Sequence, residues 1–459
     1  MSNTKVAKTS KSSSQSNTPR SKSRDGRITT KNSSSPARHS AVASVTQSAV
    51  KSVRSSSQIS DPTGPKVEDQ QWYHGLIPRA DINKMLRKQG DFIVRDTEVN
   101  GERRYVISVF WDGKDKHVVI QHSKSRGYAV DPTDAGQRFK SVTALIDHYN
   151  TKGVNLPTFP YVLINPIPRQ PWELRHEQIT LKKKIGEGAF GEVYKGTLKW
   201  PDGKVIPVAI KRSNEDQHLT KEQVCELMSE MRLMQKLNHK NIVRFYGVAA
   251  ETQPVMIVME LVSGGSLDTY LAKNIGKITP NLKLKFCADT ACGMHYLHTR
   301  QPPQIHRDIA ARNCLVADGS TVKVADFGLA IEGHTYKMSK NVKVPIRWLA
   351  PETLRTASYS LKTDVWSFAI TVWEIYNDGA EPYPGMNAAE VGTSVKNGYK
   401  IEFDKVKSMP SDVRAVAVSC IATKPDDRPD FGQIEAELNR LWKKSNTKAG
   451  KAGSSNWTY

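Results

Sequence analysis

Across residues 1–65 the chain has no hydrophobic period: Ser, Thr, Lys and Arg dominate, and no aromatic residue occurs before Trp72. Such a stretch buries too little apolar surface to offset chain entropy and is expected to be disordered. Periodicity begins at Trp72. Ile82, Met85 and Leu86 recur at helical spacing, Phe92–Val94 is a short apolar run, and Tyr105–Trp111 and His117–Gln121 read as further strands. Helical spacing returns at Val142–Tyr149. Pro166, Pro168 and Pro171 then mark residues 164–178 as a short, stiff linker. Beyond it, strands are predicted at Val208–Lys211, Val255–Met259 and Val322–Ala325, and a helix through Leu227, Met231 and Met234. After Lys443 the pattern fades, and a second disordered tail is expected.

At 459 residues the chain is long enough for two or three domains. The pattern divides it into a disordered basic, Ser-rich tail (1–68), a first domain (72–163), the linker (164–178), a second domain (179–442) and a basic tail (443–459). Charge sharpens that division. The net charge is +21, and residues 1–60 hold eleven Lys and Arg against the single acid Asp25, a net +10. Residues 443–459 add four lysines and no acid, so 14 of the 21 charges lie at the two ends. The long tail is expected to meet an anionic membrane surface, with a purely solvated tail as the competing reading; no specific nucleic acid is expected. The five cysteines lie far apart, without metal-ligand spacing, which fits a reduced compartment. No apolar run approaches the roughly 18–20 residues of a membrane span. The N-terminus has no signal-peptide core, and Ser2 stands where myristoylation needs glycine. The expected location is cytoplasmic, peripheral at the inner face of the plasma membrane.

Candidate chemistry lies in both domains. Strand alternation puts Arg95 on the same face as Ile93, and an arginine among core residues is costly unless an anion meets it. In the second domain, Gly186-Glu187-Gly188-Ala189-Phe190-Gly191-Glu192-Val193 can bring backbone close to phosphates, with Val193 placed to pack on a purine. Lys211 ends a strand after this loop; on the helix that follows, Glu230 lies beside the Leu227/Met231/Met234 face and can reach the sheet, while Glu222 and Glu226 read as solvated. His306-Arg307-Asp308, with Asn313 five residues after the Asp, puts a proton acceptor and a metal ligand on one loop. Asp326-Phe327-Gly328 follows one strand later. Each motif alone also occurs as an ordinary turn; their order and spacing carry the argument.

Together, Trp72 to Leu163 resembles an SH2 domain, and the later motifs resemble a protein kinase. The resemblance implies an α+β multidomain chain. Its SH2 domain would have a central antiparallel sheet flanked by two helices, and its bilobal kinase fold a β-rich N-lobe and an α-rich C-lobe. Arg95 would grip phosphotyrosine bidentately, supported by Arg79, Thr97 and His117, while Val119 stands where many SH2 domains place a lysine. ATP would contact Ile185, Gly186, Gly188, Gly191, Val193, Ala209, Lys211, Met259, Glu260, Val262 and Leu315, with Met259 as gatekeeper. Asn313 and Asp326 would hold Mg2+, Glu230 would orient Lys211, and Asp308 would take the proton of a substrate hydroxyl. Ala310 stands where serine/threonine kinases usually carry a lysine, and with Arg312 it follows the tyrosine-kinase pattern, as does Pro345-Ile346-Arg347-Trp348, whose proline would form the platform for a substrate tyrosine ring. Glu352 and Arg428 would form a buried, structural ion pair. Tyr336 lies where activation segments carry a phosphosite, with Ser339 competing and Arg307 poorly paired until a phosphate arrives.

The chain is most similar to the Fes/Fer family of non-receptor tyrosine kinases over Trp72 to Leu441. The family's N-terminal coiled-coil half has no counterpart here, and Ala369 and Ile421 replace the commoner Gly and Trp, with effects expected on packing alone. The implied partners are tyrosine-containing protein substrates and phosphotyrosine proteins. Two rivals are a pseudokinase scaffold, which would need a break in the Lys-Glu-Asp-Asn-Asp set that is not present, and a phosphotyrosine adaptor.

Overall fold

Two sheets organise the chain, and the linker contributes a strand to each. The computed structural model describes residues 65–131, 137–188, 191–214, 219–338 and 344–453. In the first half, helix α1 (Arg79–Ile82) precedes strands β1 (Asp91–Val99), β2 (Glu102–Trp111) and β3 (Lys114–Val119). Asn100-Gly101 and Asp112-Gly113 join them with positive φ at both positions of each turn (54° and 80°, 53° and 72°). This is the conformation that lets a two-residue loop follow the twist of its strands. Short strands β4 (Gln121–Ser123) and β5 (Gly127–Ala129) pair with each other, so the predicted His117–Gln121 strand breaks at Ile120. Helix α2 (Val142–Lys152) is capped by Ser141, which accepts from the Ala144 amide, and ends at Gly153 with φ 59°. Phe92, Val94, Ile107 and Val109 face α2 through Leu145, Ile146 and Tyr149. Ile93, on the other face, meets Ile82 and Leu86. The helical spacing predicted to reach Leu86 stops at Ile82 instead. Turns continue to Leu86, whose amide donates to Ile82 O at 3.1 Å, and the Asp91 carboxylate then accepts from the amides of Arg87 and Lys88.

The linker adds β6 (Asn165–Pro166) alongside β1, and β7 (Glu173–Leu174) alongside a strand of the second sheet. That sheet runs β7-β11-β12-β10-β9-β8. Its other strands are β8 (Ile179–Gly188), β9 (Gly191–Lys199), β10 (Val205–Arg212), β11 (Phe245–Ala249) and β12 (Met256–Glu260). Helix α3 (Lys221–Gln235) starts at a Thr220/Gln223 capping box. Its face of Val224, Leu227, Met228 and Met231 packs on Val248, Val255 and Ile257, and Leu76 of the first half joins the same cluster.

The two halves touch through backbone. Leu76 N donates to Ala250 O at 2.8 Å and Tyr73 Oη to Glu251 O at 3.1 Å. Gly75 has φ 62°, and a Cβ there would stand 2.1 Å from Ala250 O. Arg232 of α3 pairs with the buried Asp81 at 2.7 Å, and Arg169 of the linker with Glu251 at 3.1 Å.

The remaining lobe is mainly helical: α4 (Leu267–Lys273), α5 (Pro280–His298), α6 (Pro351–Thr356), α7 (Leu361–Tyr376), α8 (Ala388–Lys396), α9 (Ser411–Cys420) and α10 (Phe431–Gly453). Between α5 and α6 lie the short strands β13 (Gln304–Ile305), β14 (Cys314–Ala317), β15 (Thr321–Val324), β16 (Ile331–Glu332) and β17 (Thr335–Lys337), and β18 (Ser358–Ser360) follows α6. Helix α7 is buried on all sides from Thr363 to Tyr376, as its nearly continuous apolar sequence requires. Ala369 and Ile421 are both buried in this core. Arg428 is buried and donates to both Glu352 oxygens, at 2.6 and 2.9 Å. Disorder was expected from residue 443 onward; helix covers 443–453 of that stretch, and residues 454–459 lie outside the described residues. The α10 helix continues to Gly453 because Ser445 and Asn446 hydrogen-bond Asn281 of α5, a contact between residues more than 160 positions apart. No helix among the described residues is long and apolar enough to cross a membrane.

Candidate functional site

Alternation along β1 puts Ile93, Arg95 and Thr97 on one face. Arg95 is buried there, and its Nε donates to Ser108 Oγ at 3.3 Å; His117 Nδ1 lies 3.0 Å from the same hydroxyl. A guanidinium only donates, so Ser108 Oγ accepts from Arg95, and the one hydroxyl ties the arginine and the imidazole together. The ring is neutral: burial, then Arg79 and Arg95, hold its pKa down to about 4. Burial, then repulsion by Arg79, brings Arg95 down to about 10. Arg79 is exposed and lines an open cavity with His117, Phe110 and Lys114. A desolvated guanidinium with a second cation beside it is a receptor for a dianion. Ser108 was missed by reasoning from the sequence, although a hydroxyl inside Val106-Ile107-Ser108-Val109 was a signal. Its register opposite Ile93 and His117 puts it on the Arg95 face.

In the second half, the β8–β9 hairpin pairs Gly186 with Val193 and Gly188 with Gly191; Ala189 and Phe190 lie outside the described residues. Gly191 has φ 140°, and a Cβ there would meet Arg212 O at 2.0 Å, so only glycine fits. Val193 opposes Lys211 and Ala209 opposes Met259, which puts all four on one face of the sheet. Met259, Val262, Leu315 and Ala325 pack together below it. Ile185 is half exposed at the mouth. Glu260 turns its carboxylate to the Arg244 amide (3.1 Å) and Lys323 (3.1 Å), so it offers the cleft its backbone.

Lys211 Nζ donates to both oxygens of Glu230, at 2.9 and 2.7 Å, and stands 3.9 Å from Asp326 Oδ1. Burial opposes the ammonium charge, but Glu230 and then Asp326 more than offset it, so the Lys211 pKa rises. Glu230 reaches it from the buried side of α3, while Glu222 and Glu226 are exposed.

The His306–Asn313 loop is anchored from α7. Both Asp364 oxygens accept backbone amides, from His306 at 2.8 Å and Arg307 at 2.9 Å, and His298 Nε2 lies 2.9 Å from the first. The Asp308 amide donates to His306 Nδ1 (3.3 Å), which leaves Nε2–H for Ala325 O at 3.1 Å. Arg307 (φ 70°) and Asp326 (φ 59°) hold left-handed backbones, each costing about 1 kcal/mol or more, as functional loops often do. Asp308 Oδ1 accepts from Arg312, and Oδ2 from Asn313 Nδ2 at 2.9 Å. Burial raises the Asp308 carboxyl above its ordinary range, against the opposing pull of Arg312. Because Asn313 Nδ2 is committed to Asp308, its Oδ1 is the atom left for a cation; the Asn313 carbonyl accepts from Ala325 N at 2.8 Å, next to Asp326. Two oxygen donors suit a hard cation that takes its other ligands from phosphate and water. Among the described residues, no cluster of three or more His, Cys, Asp or Glu is arranged to hold a metal alone.

Arg307 has no carboxylate partner among the described ion pairs; carbonyl and ring contacts hold it instead. It is buried, its guanidinium lies 4.5 Å from the ring centres of both Tyr336 and Tyr359, and Nη1 donates to Leu329 O at 3.0 Å. Tyr336 sits half-buried in β17, opposite Tyr359 of β18. Ser339 and Lys340 lie outside the described residues.

Residues 72–149 match the SH2 domain family, and residues 179–438 match the family described as protein tyrosine and serine/threonine kinase. The tyrosine-protein kinase Fer of Rattus norvegicus is 39% identical over 415 residues, covering 89% of this chain and 48% of Fer. Fer-related kinase 1 of Caenorhabditis elegans is 36% identical over 386 residues, covering 82% of this chain and 95% of that protein. The transforming protein Fps of avian sarcoma virus (strain PRCII) is 35% identical over 391 residues, covering 83% and 70%. The chain spans about half the length of the Fer relatives it matches.

Proposed function

The chain belongs to the protein tyrosine and serine/threonine kinase family, as an SH2-containing relative of Fer and Fps, and from that premise we propose that it transfers the γ-phosphoryl group of ATP to tyrosines of protein substrates. The substrate phenol oxygen bonds to the γ-phosphorus, the bond from that phosphorus to the β-phosphate oxygen breaks, ADP leaves, and the phenol proton passes to Asp308. Lys211, oriented by Glu230, holds the α- and β-phosphates, while the glycine hairpin covers them. The purine lies among Ile185, Val193, Ala209, Met259 and Leu315, read by backbone at Glu260 and Val262. Asn313 and Asp326 hold magnesium, which when bound neutralises phosphate charge. Burial suits Asp308 to its task, since a raised carboxyl accepts a proton more readily.

The observation that carries this reading is the closed Lys211–Glu230 pair, with Asp326 3.9 Å from the same ammonium. Tyrosine is preferred over serine because Arg312, rather than a lysine two residues after Asp308, meets the carboxylate. Arg95, Arg79, Thr97 and His117 bind phosphotyrosine proteins at the first half, and the basic residues 1–60 add affinity for anionic lipid at the inner face of the plasma membrane. Incubating the full chain with ATP, magnesium and peptides that differ only in tyrosine or serine tests the reading. Phosphate should appear on tyrosine alone and vanish in Asp308→Asn. Labelled serine, or an inactive wild type that binds phosphotyrosine peptide, would replace it with the serine-kinase or adaptor alternative.

A further inference from the structure

Behind the catalytic loop stands a buried carboxylate that the reaction just described does not use. Glu374 lies on α7, 4% exposed. Its Oε2 accepts from two donors in two different segments: the Ala311 amide at 2.9 Å, in the loop that carries Asp308, and the Trp348 indole Nε1–H at 3.0 Å, in the segment beginning at Pro345. The Arg312 guanidinium lies 4.2 Å from the centre of the Trp348 ring and donates to Asp308 Oδ1. One acceptor atom therefore sets the height of the loop and the plane of the ring on which Arg312 rests.

We infer that Glu374 is a positioning residue for phosphoryl transfer, fixing Asp308 through Trp348 and Arg312 and tying it to the segment that seats the substrate tyrosine. The inference rests on the proposed tyrosine-kinase reading and adds a residue to it. The physical case is geometric. Arg312 is a long side chain with a third of its surface exposed, and unsupported it would sample many rotamers, each moving its charge relative to the Asp308 carboxylate. Stacking on a ring restricts it to a plane, and a ring restricts nothing unless it is itself held. The indole N–H is the handle by which α7 holds it. An oxygen that accepts two hydrogen bonds from two segments also makes those segments move together, so a shift of the substrate platform carries Asp308 with it. The remaining hydrogen bonds of Asp308 run to His306 and Asn313, which are on the same short loop and supply no link to residues 345–349.

The full chain is compared with Glu374→Leu, Glu374→Gln and Trp348→Phe in single-turnover transfer from bound ATP to a tyrosine peptide, with ATP affinity measured separately by calorimetry. Glu374→Leu conserves volume and removes the acceptor; it should slow transfer by about ten- to a hundredfold while ATP affinity stays within about twofold. Glu374→Gln keeps a carbonyl oxygen able to accept both bonds and should recover most of the lost rate. Trp348→Phe keeps a ring under Arg312 without the N–H, should slow transfer comparably, and should lose little more when combined with Glu374→Leu. A Glu374→Leu chain that binds ATP and transfers at the wild-type rate overturns the inference. So does a loss shared equally by rate and ATP affinity, which marks general structural damage. If Glu374→Leu does not fold, a Trp348→Phe chain at the wild-type rate overturns it instead. A wild type that labels no tyrosine overturns the underlying reading, whereas these outcomes presuppose an active wild type and strike the inference alone.

Discussion

Arg307 lies 4.5 Å from the ring centre of Tyr336 and at the same distance from Tyr359, so the arginine beside Asp308 is held between two aromatic faces. Its Nε is buried without a hydrogen-bond partner. A phosphate on Tyr336 would bring about two negative charges and three acceptor oxygens to that guanidinium, replacing a stacking contact with a charged one.

Tyr336→Phe should preserve the stack and abolish the switch. The wild type should show a lag that shortens as enzyme concentration rises, while Tyr336→Phe stays at the slow initial rate. Arg307→Ala should blunt the gain although Tyr336 is still phosphorylated. Progress curves with parallel phosphosite mapping decide it, and lag-free full activity in Tyr336→Phe would remove Tyr336 from the mechanism.

Lys211→Arg should fold normally and transfer no phosphate. The Glu230 pair is built around a compact ammonium at 2.7–2.9 Å, and a planar guanidinium has no room to keep both that pair and the phosphates. Circular dichroism checks the fold and peptide phosphorylation the activity; turnover near that of the wild type would contradict the assignment.

Arg95→Lys keeps charge and loses the fork, so phosphotyrosine-peptide binding should weaken by about 1.5–3 kcal/mol. Ser108→Ala should cost less, about 1 kcal/mol, by releasing both the Arg95 Nε and the His117 ring from the shared hydroxyl. Calorimetry with one phosphopeptide tests both, and an unchanged affinity in Arg95→Lys would exclude this pocket.

Gly75→Ala sets a methyl 2.1 Å from Ala250 O and should loosen the contact between the halves, lowering stability by more than about 1 kcal/mol. Gly101→Ala is the control: its φ is also positive, at 80°, but nothing lies within 4 Å of the added carbon. Denaturant unfolding should rank Gly75→Ala well below Gly101→Ala. Equal losses would show that backbone strain, not the collision, sets the cost.

Burial raises the Glu374 carboxyl from 4.5 to about 7, against hydrogen bonds from Trp348 and Ala311 and the charge of Arg312, with Asp268 adding to the rise. A carboxyl whose pKa is higher folded than unfolded favours the fold fully below pH 4.5, and that contribution is lost as pH rises through 7. The loss is on the order of 3 kcal/mol. Glu374→Gln cannot ionise, so its stability relative to wild type should improve between pH 5 and pH 8. Parallel denaturation curves at the two pH values, giving the same difference, would show that Glu374 does not titrate in this window.

What could be read from the sequence, and what could not, follows from the range of the contacts. Lys211, Asn313 and Asp326 were legible because each sits in a local motif, while Glu230, which periodicity placed only beside the apolar face of α3, was singled out by its resemblance to the kinase pattern. Arg95 was legible as well, since alternation alone put it on a core face. Asp364, Glu374 and Tyr359 were not legible as parts of the site, since each meets the catalytic loop across roughly 50 or more residues of chain. Nothing in the local pattern distinguishes Glu374 from any other helix glutamate. The helical end of α10 was hidden for the same reason, its polar residues finding partners on α5.

The linker supplies one strand to each sheet, β6 beside β1 and β7 beside β11. It therefore acts less as a tether than as a rule of fixed length between the phosphate pocket and the catalytic cleft. On the proposed function, a substrate anchored by one phosphotyrosine would present its other tyrosines at a local concentration set only by the substrate's own chain. That concentration is near zero for segments too short to span the gap and falls slowly for longer ones. On the proposed reading, spacing along the substrate, as much as the residues flanking each tyrosine, should decide which site is phosphorylated next.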